Sequence, residues 1–232
     1  MKRILTLLAL SSTLMFSGCD TLKSVASNIL NERDAISAIK EMLTIGANGN
    51  ALISKEALMG AILPSEVNNV LSKLQQLGLS KDLDKFTTTL TNAAAQTASS
   101  SIPVFADGIK QMSIYDAIGI VKNGGTAATD YLRSKIGDSL RRAVTPIMKN
   151  ALDQYNITQQ WDKLVTPAKL ILGNKVQLNL NLDNLLAGVI TTAMFNKIAE
   201  QEVMIRTKAE ARTSPTLQRV FGRDWTNNGA VK

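Results

Sequence analysis

Histidine is absent from the 232 residues, and cysteine occurs once, at Cys19. Without histidine, Ser-His-Asp and Cys-His nucleophile systems are excluded. Zinc and copper sites lose their usual ligands as well. A lone cysteine forbids a disulfide within the chain, so stability outside a reducing compartment must come from packing alone. Aromatic residues are only 4%, and any core must therefore rest on Leu, Ile, Val, Ala and Met; the 45% apolar content suffices for one sizeable core at this length. Past the first twenty positions, no apolar run approaches the roughly 20 residues that a bilayer-spanning helix needs. What remains open to an enzyme is carboxylate, lysine or tyrosine chemistry, so the composition favours a non-enzymatic protein with no metal and no cofactor.

What the N-terminus does contain is specific. Met1, Lys2 and Arg3 precede an apolar run from Ile4 to Phe16, followed by Ser17, Gly18 and Cys19. That is the n-region, h-region and small-residue order of a secretory signal, and the run is too short to span a bilayer. Phe16-Ser17-Gly18-Cys19 resembles a lipobox, the recognition sequence of the lipoprotein signal peptidase, with Phe16 where Leu is usual. The resemblance implies cleavage before Cys19 and acylation of its thiol. Such an anchor gains about 0.8 kcal/mol per buried CH₂ and holds stably when several chains are attached. The membrane is thus an expected partner through the acyl chains, and the expected location is the cell envelope. Asp20 resembles the inner-membrane retention signal of enteric bacteria and favours the periplasmic face of that membrane, with the outer membrane as the alternative. Removing Lys2 and Arg3 lowers the net charge from +7 to +5. That excess, spread over more than two hundred residues, is no nucleic-acid footprint.

Periodicity then predicts an all-α protein: a single helical-bundle-like domain over 34–222, after a signal peptide at 1–18 and a lipidated tether at 19–33, with a flexible tail at 223–232. In the first helix Ile36, Ile39 and Leu43 share a stripe, and Gly46, Gly49 and the asparagine between them end it. Pro64 and Ser65 open a helix with Val67, Val70, Leu71 and Leu74 inward. Ser80 opens another, on which Leu83, Phe86, Leu90 and Ala94 recur. Ser113 to Asp116 reads as a capping arrangement. Gly124-Gly125 stops that helix, Thr126 caps a next one carrying Tyr131 and Leu132, and a longer helix follows from Asp138, with Pro146 inside it. Residues 175–183 alternate Val176, Leu178, Leu180 and Leu182 with polar residues, which suggests an extended loop or a minor two-stranded ribbon with 57–63. Asp183 caps the most apolar helix, from Asn184 to about Lys208, which is expected at the centre of the domain. A short last helix runs from Pro215 to Phe221. No repeat emerges when the segments are laid over one another.

From Phe105-Ala106-Asp107 onward the order becomes familiar. Met112-Ser113, Asp116-Ala117, Gly124-Gly125, Ala128-Thr129, Tyr131, Leu140, Pro146, Phe195 to Glu202, Ile205-Arg206 and Val220-Phe221-Gly222 follow one another. This resembles the bacterial family labelled domain of unknown function 4197 over most of the mature chain. The resemblance implies a helical envelope protein and supplies no mechanism.

Few residues point to chemistry. Glu202 precedes Arg206 by four positions, on one helix face in the favourable order; it is either a structural ion pair or an anion-binding fork held by its glutamate. Arg133, Lys135, Arg141, Arg142 and Lys149 form the densest basic region, which could meet anionic headgroups. Asp138 and Asp153 interleave with them, as on an ordinary solvated face. Tyr131 and Tyr155 read as core-edge aromatics. Glu200 and Glu202 stand two apart and cannot flank one bond. Gly124-Gly125 before Thr126 could seat a phosphate at a helix start but is too short for a P-loop and lacks its lysine. The resulting expectation is a lipid-anchored module that binds an unidentified envelope protein, or else carries an apolar or amphipathic ligand between its helices.

Overall fold

Asn31 opens the first helix, α1 (Glu32–Ala47), by accepting Asp34 N at 2.9 Å through its side-chain oxygen. The computed structural model describes residues 29–49, 54–62, 75–76, 78–172, 182–226 and 230–231. The signal and lipobox with Phe16, Ser17, Gly18 and Cys19, the helix expected after Pro64, and the alternating residues 175–181 lie outside the described residues. One stripe of α1 buries Ala35, Ala38, Ile39, Met42 and Leu43. The helix ends at Ala47 with Asn48 as its cap, and Gly46 has a further role. It lies within the last turn, where a Cβ atom would fall 2.8 Å from Ile198 Cα, so glycine is what allows α1 its close approach to the helix carrying Ile198.

α2 (Lys55–Ile62) is helical, which removes 57–63 as a strand partner for 175–183. α3 (Ser80–Gln111) buries Leu83, Phe86, Leu90, Ala93, Ala94, Phe105 and Ile109 along its length. Its narrow middle, where Thr97 and Ser101 sit beside the alanines, stays satisfied because both hydroxyls donate to the carbonyl four residues back. α4 (Ala117–Asn123) starts later than the Ser113 pattern suggests: Asp116, not Ser113, caps it, accepting Gly119 N at 2.9 Å.

α5 (Ala127–Gln154) is one continuous helix where two were expected. Leu132, Leu140, Val144 and Met148 form an unbroken buried stripe that carries the helix through Gly137 and Pro146. Propensity yields here to tertiary packing. Thr126 occupies the N-cap position without a side-chain bond to the backbone; its hydroxyl donates instead to Asp130 at 2.9 Å. Tyr155 and Asn156 then turn the chain, with Asn156 at φ 52°, a conformation that asparagine tolerates better than most residues. α6 (Ile157–Leu172) follows, a helix absent from the sequence reading, and its Trp161 packs on Phe86 at 5.4 Å.

α7 (Leu182–Thr207) begins two residues before the expected start; Leu182 and Asp183 belong to its first turn. It is the central element, contacting α1, α2, α3 and α5. Leu186, Ala187, Ile190, Met194, Phe195 and Ile198 are buried, and Phe105 of α3 meets Phe195 edge-on at 5.5 Å. Leu185, on the outer side of this apolar helix, is exposed. A 3₁₀ turn (Ala209–Ala211) leads to α8 (Pro215–Phe221), capped by Ser214 with Pro215 at its first position. After it, β1 (Arg223–Asp224) pairs antiparallel with β2 (Ala230–Val231). Apart from this short ladder, the described elements are helical and share one apolar core. No described helix is long and apolar enough to cross a membrane.

Candidate functional site

Helix ends leave backbone donors and acceptors without partners, and in this fold charged side chains from other helices supply many of them. Glu32 of α1 accepts Ala117 N, at the start of α4, at 2.7 Å. Lys40 donates to the Lys110 carbonyl at the end of α3 at 2.7 Å. Arg212, buried, donates to the Ile205 and Arg206 carbonyls that end α7. In each case the sign of the charge suits the end it meets: acid at an N-terminus, base at a C-terminus.

The Glu202–Arg206 pair performs both tasks at once. Glu202 is 0% exposed, and its Oε1 accepts Ala128 N at 2.9 Å, while its Oε2 accepts Thr129 N at 2.7 Å and the Thr129 hydroxyl at 2.6 Å. The carboxylate therefore caps the first turn of α5 from outside. Arg206, 7% exposed, contacts Glu202 Oε1 through Nε at 2.9 Å and through a terminal nitrogen at 2.8 Å. Its terminal nitrogens also donate to the Val121 and Ile120 carbonyls, at 2.9 and 3.1 Å, in the last turn of α4. The guanidinium carbon lies 5.0 Å from the centre of the Phe221 ring. Between the two capped ends run Gly124 and Gly125, both at positive φ, a turn that side-chain-bearing residues would strain. One ion pair on α7 thus clamps α4 to α5 across a glycine turn.

The separated segments that carry the family resemblance meet at this clamp: Gly124-Gly125, Ala128-Thr129, Glu202 with Arg206, and Phe221. Its geometry leaves Arg206 little to offer an external anion, since its described contacts already engage all three nitrogens. Glu200 is exposed and pairs with Lys197 at 3.2 Å, so it does not join Glu202. Gly124 and Gly125 form a positive-φ turn, and the Thr126 hydroxyl is engaged by Asp130. Sequence reasoning missed Thr129, Arg212 and Glu32. For Thr129 a signal existed in its place, three residues inside a helix start, where an unpaired N–H awaits a partner.

The basic face is elsewhere. Arg133, Lys135, Arg141, Arg142 and Lys149 are all exposed on α5. They divide by environment. Lys149 pairs with Asp153 at 3.6 Å and Arg142 donates to the Ser139 hydroxyl at 3.0 Å. Arg133, Lys135 and Arg141 instead line a groove of about 570 Å³ between α5 and α7, together with Gly137, Asp138, Gly188, Thr191 and Phe195, among others. Lys135 rests 5.5 Å from the centre of the Tyr131 ring. Tyr131 and Tyr155 are half-buried at the edge of the core, and the Tyr131 hydroxyl donates to the Ser113 carbonyl at 3.1 Å. Among the described residues, no three acidic or thiol side chains converge as a metal-binding group.

Residues 29–222 match the model of the family described as Protein of unknown function (DUF4197). No curated protein and no solved structure matches the chain.

Proposed function

The chain belongs to the DUF4197 family, and on that premise we propose that it is a lipid-anchored envelope protein, tethered through acyl chains on Cys19, that acts by binding rather than by catalysis. The observation that carries this reading is the Glu202–Arg206 clamp: these buried charged groups are committed to each other, to the Thr129 hydroxyl and to the backbone at two helix ends. Chemistry by proton transfer needs a carboxylate that can release its partners, and Glu202 is held by four donor groups. The exposed cations of α5 face outward, where a partner can reach them.

Two measurements test the reading. Labelled palmitate should enter the wild-type protein and not Cys19→Ser, because serine offers no thiol to the diacylglyceryl transfer; label in the variant overturns the anchor. Native mass spectrometry of the protein extracted from its own membrane should then show a bound protein or polar ligand. A spectrum of the bare chain overturns the binding role. A retained amphipathic ligand would favour the carrier instead, for which the groove between α3 and α6, about 420 Å³, offers Leu79, Phe86 and Leu164 beside Asp82, Lys85, Gln160 and Lys163.

A further inference from the structure

We propose that the groove between α5 and α7 is a binding site for a phosphate ester, held by Arg133, Arg141 and Lys135 at its walls, with the unpartnered Thr191 beside them. The inference rests on the surface-binding reading above and names the chemistry of the ligand.

Four observations converge on it. First, the cations are uncommitted: among the described residues neither Arg133, Lys135 nor Arg141 stands within ion-pair distance of a carboxylate, in contrast to Lys149, Lys197, Arg206 and Arg219. Asp138 lies in the same wall and offsets one charge, which leaves an excess of two positive charges among the lining residues. Second, Arg133 is already oriented, its guanidinium carbon 5.0 Å from the centre of the Phe195 ring, so less ordering is required when a ligand arrives.

Third, Thr191 lines the groove at 5% exposure, and its hydroxyl has no hydrogen-bond partner. Buried hydroxyls seldom remain so. In this protein Thr44, Thr87, Thr97 and Thr145 all donate to the carbonyl four residues earlier in their own helix. Thr191 forgoes that bond, so a buried polar group is left without a partner in the helix that walls the groove. Fourth, glycines keep the space open. A Cβ on Gly137 would come no nearer than 3.6 Å to Arg133 and one on Gly188 no nearer than 3.9 Å to Arg141. Neither glycine is required by a clash at Cβ, yet a longer side chain at either position would project into the groove.

The choice of a phosphate follows from directions. A planar carboxylate suits one guanidinium fork, whereas a tetrahedral phosphate accepts donors from several sides. Arg133 and Arg141 are eight residues apart, about 12 Å along the helix axis, and the hydroxyl lies on the facing helix. The volume exceeds that of a bare phosphate and falls within the usual range for small-molecule sites. It admits a phosphate with a glycerol- or sugar-sized substituent. The same chemistry is offered by a soluble phosphate ester and by the headgroup of an anionic phospholipid.

The test uses the full processed protein in nanodiscs of phosphatidylcholine, followed by hydrogen exchange. In one arm glycerol 1-phosphate is titrated in; in the other, half of the disc lipid is replaced by phosphatidylglycerol. Saturable protection of the segments around 133–142 and 188–195 in the first arm supports a soluble ester, and in the second a headgroup. Arg133→Gln with Arg141→Gln should weaken that binding at least ten-fold, and so should Gly188→Leu, which plugs the groove and leaves the charges in place. Added salt should weaken it as well. Absence of protection in both arms overturns the proposal, as does wild-type affinity in both variants. A protein partner in the native mass spectrum combined with no response to either probe removes the phosphate site while the surface-binding reading stands.

Discussion

Arg206 and Arg133 each place a guanidinium 5.0 Å from the centre of a phenylalanine ring, Phe221 in one case and Phe195 in the other, yet they serve opposite ends. Arg206 is buried with a carboxylate and two helix-terminal carbonyls around it; Arg133 is exposed beside a groove, with no carboxylate at ion-pair distance among the described residues. The same holds for two threonines. The Thr129 hydroxyl is buried against Glu202 at 2.6 Å, whereas that of Thr191 is buried against nothing polar. Residue type and ring contact do not separate structure from binding here. What separates them is whether the polar groups close on partners within the chain.

The comparison can be broken most severely at Glu202. Glu202→Ala strips the donors of α5 and leaves Arg206 buried without its counter-charge, so urea unfolding should show a loss of about 3–5 kcal/mol. A loss below about 1 kcal/mol would mean that the clamp is dispensable. Thr129→Val removes only the hydroxyl bond to the carboxylate and should cost about 1.5–3 kcal/mol, the usual range for a hydrogen bond to a charged group. Thr191→Val, the same change in the other region, breaks no hydrogen bond and should leave the melting temperature unchanged or raise it. A destabilisation like that of Thr129→Val would reveal an internal partner for Thr191 and end its role in the groove. Smallest of all, Lys149→Ala removes an exposed pair, both side chains 64% exposed, and should move stability by less than about 0.5 kcal/mol in the same assay.

Much of this architecture was legible in the amino-acid order, and the failures have physical causes. The stripe from Leu83 to Ala94, the centrality of α7 and the bounds of α8 all follow from periodicity and capping residues, which are local signals. α1 ends within the Gly46–Gly49 stretch, as expected, with Asn48 as its cap, but the packing role of Gly46 depends on Ile198, more than a hundred residues away. α5 was split at its polar, glycine-containing middle, although a stripe of buried aliphatics continues beneath it. Asp116 takes the cap expected of Ser113, and Glu32, from α1, accepts the N–H of the first α4 residue, a contact that local sequence does not announce. The ribbon between 57–63 and 175–183 fails for a simpler reason: residues 57–62 are helical.

At the sites the division is similar. The spacing of Glu202 and Arg206 announces an ion pair, and nothing in it announces that two other helices terminate upon that pair. Likewise the cluster from Arg133 to Lys149 is plain in the sequence, but its partition is not. Lys149 and Arg142 find partners along their own helix, while Arg133, Lys135 and Arg141 border a groove whose other wall, with Gly188, Thr191 and Phe195, is contributed by α7.

The most direct test of the account is the unfolding free energy of Arg206→Met beside that of Arg133→Met, each measured by urea denaturation of the otherwise unaltered protein. Both substitutions take a guanidinium from above a phenylalanine and keep a flexible apolar stem there. If closure on internal partners is what distinguishes the two regions, Arg206→Met should lose about 3 kcal/mol or more and Arg133→Met less than about 0.5 kcal/mol. Equal losses, or a stable Arg206→Met beside a destabilised Arg133→Met, would contradict it.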